Sequence, residues 1–132
     1  MLVTSLLKVG VCAFCIGLIG CERDVSFAVD VQPILLASCV ECHDKSAEGY
    51  AASGFSLEDY DSVMKGTKFG AVVVPNSSMS STLYLMIAHK TDTAIHMPPH
   101  TEKALAEGRG IALTEEQIEK IGDWIDQGAK DN

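Results

Sequence analysis

The sequence Cys39-Val40-Glu41-Cys42-His43 decides how the rest of this chain is interpreted. It is a C-x-x-C-H motif, the pattern at which a c-type haem is attached. If the segment is helical, Cys39 and His43 lie on one face, with Cys42 beside them. Two thiols can then form thioethers with the haem vinyl groups, and the imidazole can bind the iron as proximal ligand. The motif therefore predicts one covalently bound haem c.

Two other interpretations of the paired cysteines have less support in the sequence. A redox dithiol would need a thioredoxin-like βαβ context, and no such pattern lies nearby. Half of a zinc site would need further ligands, and only scattered histidines could supply them. The haem interpretation is therefore the first choice.

Length and composition set limits on the fold and on the partners. The chain has 132 residues, of which 47% are hydrophobic and only 6% are aromatic, which is enough for one domain with a modest core. A buried porphyrin would add flat apolar surface to that core. The formal charge of -8 argues against nucleic acid as a partner. An acidic surface could steer the domain to a redox partner protein with a basic patch, although a merely solvated surface explains it equally well.

The first twenty residues have the pattern of an export signal. Lys8 is their one charge, and the apolar run at 9–19 has the length of a signal-peptide core. The stretch Leu18-Ile19-Gly20-Cys21 resembles the lipobox of bacterial lipoproteins. We expect residues 1–20 to be removed and Cys21 to be acylated, which would anchor the chain to a bacterial membrane on its extracytoplasmic, periplasmic side. An uncleaved signal anchor and an ordinary cleaved signal are the alternatives.

The mature chain is expected to begin with a short tether and continue as one domain. Residues 21–26 form the polar tether, and residues 27–132 form the haem domain. Asp30 is predicted to cap a first helix that runs to the haem motif. Residues 44–53 are small and polar, and they are predicted to be a loop.

Two further helices have recognisable ends. Ser56-Leu57-Glu58-Asp59 has the pattern of a capping box, and the short helix that it begins is predicted to stop at Gly66. Thr114-Glu115-Glu116-Gln117 is a second capping box, and its helix is predicted to end at Gly128. Apolar residues follow this second box at helical spacing, which makes it the clearest helix of the sequence.

The stretch Ile95-His96-Met97-Pro98-Pro99-His100 contains the candidate distal ligand. Met97 is that candidate, because the two prolines after it exclude a helix and stiffen the loop that would hold its thioether. His96 and His100 are competing ligands. A methionine that merely fills a gap in the core is the structural alternative.

Taken together, these motifs resemble a cytochrome c domain family that is common in planctomycetes and related bacteria. The resemblance runs from about Phe27 to Ala129. It rests on Asp30-Val31-Gln32-Pro33-Ile34-Leu35, the haem motif, Gly54-Phe55-Ser56-Leu57, Val74-Pro75-Asn76, Met97-Pro98-Pro99, Leu113-Thr114-Glu115-Glu116-Gln117 and Trp124-Ile125-Asp126-Gln127-Gly128-Ala129.

The resemblance implies an all-α cytochrome c fold of about four helices, with the first and last crossing near the haem. It also implies that His43 is the proximal ligand and Met97 the distal one. Asn76 stands where the family usually has Gly, and it can adopt the left-handed conformation as Gly does. His96 stands where the family often has Arg.

These expectations favour an electron carrier rather than an enzyme. The chain would be a membrane-anchored c-type cytochrome that passes single electrons between extracytoplasmic redox partners. One alternative is a haem with an open or exchangeable distal site that senses a gas or peroxide, with His96 and His100 as acid-base groups. Another is the electron-exit subunit of a larger dehydrogenase.

Overall fold

The computed structural model describes residues 23–99 and 101–132. These residues form helices, turns and loops, and their β pairing is limited to an isolated bridge between Thr67 and Gly70. The predicted all-α class is therefore confirmed. The leader at 1–20, Cys21 and His100 lie outside the described residues. Each helix within the described ranges is too short or too polar to cross a membrane.

Seven α-helices follow one another in the described part of the chain. They are α1 (Gln32–Ser38), α2 (Val40–His43), α3 (Glu48–Ser53), α4 (Tyr60–Lys65), α5 (Thr82–Ile87), α6 (Glu102–Ala106) and α7 (Glu115–Asp126). A π-helical turn precedes α1, and 3-10 turns precede α5 and α6; they span Phe27–Val31, Ser78–Ser80 and Thr93–Ile95. Because helices this short are marginal alone, packing around a common core must stabilise them.

The first helical segment begins before Asp30, so the prediction that Asp30 is its cap was wrong. Ser26 is the N-cap, and its side chain accepts a hydrogen bond from the Val29 amide at 3.2 Å. The Asp30 carboxylate lies in the first turn and accepts from the Ser26 amide at 2.9 Å. The two side chains thus accept hydrogen bonds from free amides at the start of the helix, as in a capping box. Arg23 donates two further hydrogen bonds to the Asp30 carboxylate.

The prediction of a loop over residues 44–53 was also wrong, because the segment contains α3. This helix ends at Gly54, whose φ of 72° lies in the left-handed region. Gly49 allows α3 to approach the haem motif, since a Cβ at this position would lie 2.4 Å from the Cys42 carbonyl oxygen. Gly49 is thus a small residue that serves the close packing of α3 on the haem motif.

The fourth helix ends where it was predicted to end but has a different cap. Asp59 is its N-cap and accepts a hydrogen bond from the Ser62 amide at 2.8 Å. The Ser56 hydroxyl instead donates to the Glu58 carboxylate at 2.9 Å, so the predicted capping role of Ser56 was wrong. Gly66 follows the last helical residue, as predicted.

The last helix agrees with its prediction at both ends. The Thr114 hydroxyl accepts from the Gln117 amide at 3.3 Å, and the Gln117 side chain accepts from the Thr114 amide at 2.9 Å. These two bonds form the expected capping box. The chain leaves the helix through Gly128, at a φ of 104°.

The first and last helical segments pack against each other through aromatic side chains, as the resemblance implied. The Phe27 ring lies 5.3 Å from the Trp124 ring and 5.2 Å from the Tyr60 ring, measured between centroids. The indole of Trp124 donates to the Lys130 carbonyl at 2.9 Å, which satisfies its one polar group. This contact forms one end of a core whose other members include Val31, Leu35, Leu57, Val63, Leu83, Ile87, Ile121 and Ile125.

Candidate functional site

The C-x-x-C-H motif forms a single turn at the junction of α1 and α2. The Cys39 amide still donates to Leu35 of α1, at 2.9 Å. The amides of Cys42 and His43 both donate to the Cys39 carbonyl, at 3.1 and 3.0 Å. Within the described chain, Cys39 and Cys42 are free thiols without a disulfide. Cys39, Cys42 and His43 therefore share one helical turn.

A main-chain hydrogen bond sets the orientation of the His43 ring. Its Nδ1 atom lies 3.1 Å from the carbonyl oxygen of Phe55, and because a carbonyl only accepts, Nδ1 carries the proton. The Leu57 amide in turn donates to the His43 carbonyl at 3.1 Å. With Nδ1 protonated, Nε2 keeps the lone pair that a metal requires.

The Cys39 thiol is held in its protonated form. Burial raises its pKa to about 11, with a smaller contribution from the neighbouring Cys42. Cysteines of redox dithiols have lowered pKa values, because the thiolate is the reactive form. The raised pKa of Cys39 is therefore the opposite of what the redox-dithiol interpretation expects.

Arg109 is a site residue that the sequence analysis missed. Its Nη1 donates to the Cys42 sulfur at 3.3 Å, and it also pairs with the Glu107 carboxylate. Both contacts raise the pKa of Arg109, with the Glu107 hydrogen bond the larger cause. Arg109 is 67 positions from Cys42 and belongs to no motif, so only the folded chain reveals that it lies beside the thiol.

Two cavities meet at His43 and Met97. The larger has a volume of about 400 Å³, and its lining also includes Phe55, Phe69, Ala71, Val72, Leu83 and Met86. The smaller has a volume of about 230 Å³, and its lining also includes Cys42, Gly49, Ala52, Pro99, Ala104 and Arg109. His43 and Met97 line both cavities.

Met97 is half-buried and is tied to α5 by its main chain, since its amide donates to the Met86 carbonyl at 3.3 Å. His96 is directed elsewhere. Its Nε2 lies 3.1 Å from the Thr91 carbonyl, and its ring stacks on His89 at 4.4 Å. Of the candidate distal ligands that the structure describes, Met97 lines the two cavities and His96 does not.

These residues fit an iron porphyrin. The imidazole of His43 and the thioethers of Met86 and Met97 line the larger cavity, and the Cys42 thiol lines the smaller one. With Cys39 in the same motif, these residues include the donor set of a His/Met c-type haem. The larger cavity has the volume of an ordinary small-molecule site, about 300 to 1,000 Å³. Across residues 23–99 and 101–132, no group of three or more His, Cys, Asp or Glu side chains is arranged to hold a metal ion, as a zinc site would require.

The chain resembles a known protein family and two known proteins. Residues 39–101 match the family described as Planctomycete cytochrome C. The hydrazine synthase subunit alpha of Kuenenia stuttgartiensis is 27% identical over 128 residues, covering 83% of this chain and 16% of that protein. A solved structure of hydrazine synthase from the same organism superposes with a TM-score of 0.53 at 24% identity, covering 80% of this chain and 16% of that one, and it supports the fold. The chain thus spans a small part of both relatives.

Proposed function

We propose that this chain, which matches the planctomycete cytochrome c family over residues 39–101, is an electron carrier with one covalent haem c. In this proposal Cys39 and Cys42 hold the group through thioethers, and His43 and Met97 bind its iron. The haem, when bound, supplies one-electron chemistry. The protein binds and orients it, limits the access of water, and presents the site to a redox partner protein.

The observation that carries the proposal is the placement of His43 and Met97, which together line both cavities. His43 directs its unprotonated nitrogen away from Phe55, while the loop of Met97 is fixed to α5. A soft sulfur ligand favours ferrous iron, and this raises the reduction potential. A pair of protein ligands also leaves little room for a substrate, which suits electron transfer more than catalysis.

Carbon monoxide tests the carrier against the gas- or peroxide-binding alternative. The ferrous holoprotein is mixed with carbon monoxide at neutral pH, and binding is followed by absorbance. We expect resistance to binding, because Met97 would have to leave the iron first. Rapid and complete binding would favour an open distal site and would contradict the carrier.

The sequence supports a membrane location for this carrier. We propose that acylated Cys21 anchors the domain on the extracytoplasmic side, where covalent attachment of c-type haem takes place. Multiple acyl chains would give stable anchoring. Fractionation of cells that express the full chain and its Cys21→Ser variant tests this proposal. The original chain should follow the membranes and the variant should not, whereas equal distribution would contradict a lipid anchor at Cys21.

A second candidate function is the electron-exit domain of a larger redox enzyme. Its support is the similarity to hydrazine synthase subunit alpha, a much longer protein in which the matching region is 16% of the length. In that case the partner would be another enzyme chain that delivers electrons to this haem. Gentle purification from the native membrane, followed by mass spectrometry, should then recover a redox enzyme in fixed ratio to this chain.

A further inference from the structure

Met86 stands at the proposed iron site although the proposed ligand set does not use it. It lies in the last turn of α5 and lines the larger cavity together with His43 and Met97. Its carbonyl accepts the 3.3 Å hydrogen bond from the Met97 amide, so the main chains of the two methionines are adjacent. Both side chains are half-buried.

Leu83 and Met86 are three positions apart on α5, and both line the larger cavity. Leu83 and Ile87 on the same helix are 7% and 4% exposed and belong to the hydrophobic core. Met86 lies outside that core cluster as it is defined by the described residues. A core-filling role therefore does not account for Met86, whereas a place in the cavity wall does.

The chemistry of the lining makes Met86 distinctive. The other described side chains of the larger cavity are mostly hydrocarbon, and its hydroxyl groups, from Ser53, Thr67 and Thr82, are poor ligands for haem iron. That leaves one imidazole and two thioethers. Methionine is unbranched and has three rotatable bonds, so its sulfur can move over several ångströms without a change in the main chain.

We propose that Met86 is a second thioether ligand, which binds the iron when Met97 is displaced. The inference rests on the proposed function, because it requires a haem in this cavity. In the exchange one sulfur-iron bond breaks and another forms, with no transfer of a proton or an electron. The two methionines lie on different elements, since Met97 is on the proline-stiffened loop and Met86 is on a helix. A displacement of the loop would therefore leave the helix-borne sulfur in place.

The test uses the ferrous holoprotein with ¹³C-labelled methionine methyl groups. A methyl group bound over a haem is shifted far outside the range of free methionines by the ring current. The original chain and Met86→Leu should each show one such shifted methyl, because Met97 is the resting ligand. Met97→Ala should also show one, at a new position, and Met97→Ala combined with Met86→Leu should show none.

Controls separate this inference from the function on which it rests. Met79→Leu changes a methionine that is 61% exposed, and it should leave the shifted signal unaltered. Absence of a shifted methyl in the original chain would overturn both the Met97 ligand and this inference. Absence in Met97→Ala alone would overturn the Met86 ligand and leave Met97 as the resting ligand. If Met97→Ala does not acquire haem, Met97→Thr takes its place in the same measurement and should give the same result. The thioethers of Cys39 and Cys42 should retain the haem in either variant, because they do not depend on a distal ligand.

Discussion

The Nδ1 atom of His43 donates a hydrogen bond to the carbonyl oxygen of Phe55 across 3.1 Å. The two residues belong to different segments, because α3 and its terminal Gly54 lie between them. The segment after α3 thus returns to the haem motif, and its Phe55 carbonyl orients the imidazole through Nδ1. Nε2 stays available to a metal. The position of α3 therefore contributes to the orientation of the proposed ligand.

Gly49→Ala tests this dependence on α3. The added Cβ would lie 2.4 Å from the Cys42 carbonyl oxygen and 3.1 Å from Cε1 of His43. Because main-chain atoms cannot move aside cheaply, we expect a loss of about 1 to 3 kcal/mol of unfolding free energy, measured by chemical denaturation. We also expect a smaller yield of covalent haem, measured from the absorbance of the purified protein.

Gly110→Ala is the matched control for this substitution. Its new Cβ would lie 2.7 Å from the end of Leu105, a flexible side chain that is 55% exposed, and 3.2 Å from the Pro99 carbonyl oxygen, so it requires a smaller main-chain adjustment than Gly49→Ala does. Its haem yield should therefore equal that of the original chain. Equal behaviour of the two alanine variants would contradict the role of Gly49.

The stability of the fold should depend on the ionisation of Asp30. Hydrogen bonds from Arg23 and then from the Ser26 amide lower the pKa of this carboxyl from 3.8 to about 2. A carboxyl with a lowered pKa in the folded state stabilises that state above its unfolded pKa. This stabilisation is lost as the pH falls from about 4 through 2.

Asp30→Asn measures that contribution. At pH 7 we expect it to lower the unfolding free energy by about 1 to 2 kcal/mol, because the Arg23 side of the interaction is exposed to solvent. The difference from the original chain should shrink towards zero near pH 2. Asp131→Asn removes an exposed charge and serves as the control. A difference for Asp30→Asn that stays constant with pH would show that lost packing, and not ionisation, is responsible.

Arg109 should raise the reduction potential of the proposed haem. Its guanidinium donates to the Cys42 sulfur, so a positive charge lies next to an attachment point. A nearby cation disfavours the more positive ferric state, and a unit charge in a largely aqueous setting corresponds to roughly 10 to 30 mV. We expect Arg109→Gln to lower the midpoint potential by this amount in a spectroscopic redox titration.

Lys130→Gln is the control for the Arg109 measurement, because Lys130 pairs with Asp24 away from the cavities. It should leave the midpoint potential unchanged. A potential that is equally insensitive to Arg109→Gln would show that Glu107 already neutralises the guanidinium.

The elements of the fold that could be predicted from the sequence are those stabilised by interactions between neighbouring residues. The capping box at Thr114 and Gln117 satisfies neighbouring amides, so its pattern and its structure coincide. Helix α3 was missed because its stability depends on contact with the haem motif rather than on its own residues. The cap at Ser26 was missed because Ser26 and Asp30 both have capping side chains, and only geometry assigns their roles.

Some residues of the proposed site were also predictable from local sequence patterns, and others were not. The spacing of Cys39, Cys42 and His43 predicts their common turn, and Pro98 marks the loop of Met97. Arg109 and Met86 come to the site through tertiary packing, and no pattern of neighbouring residues indicates them. The sequence already favoured Met97 over His96 as the predicted ligand, and in the structure the His96 ring contacts Thr91 and His89.

The most direct test of the central proposal is the mass of the denatured holoprotein after expression with a c-type haem maturation system. We predict the mass of the processed chain plus one haem, and a fragment spanning residues 39–43 should carry that addition. The Cys39→Ser/Cys42→Ser double variant should lack it. A denatured chain without added haem mass, although haem is bound in the native state, would contradict covalent attachment at this motif.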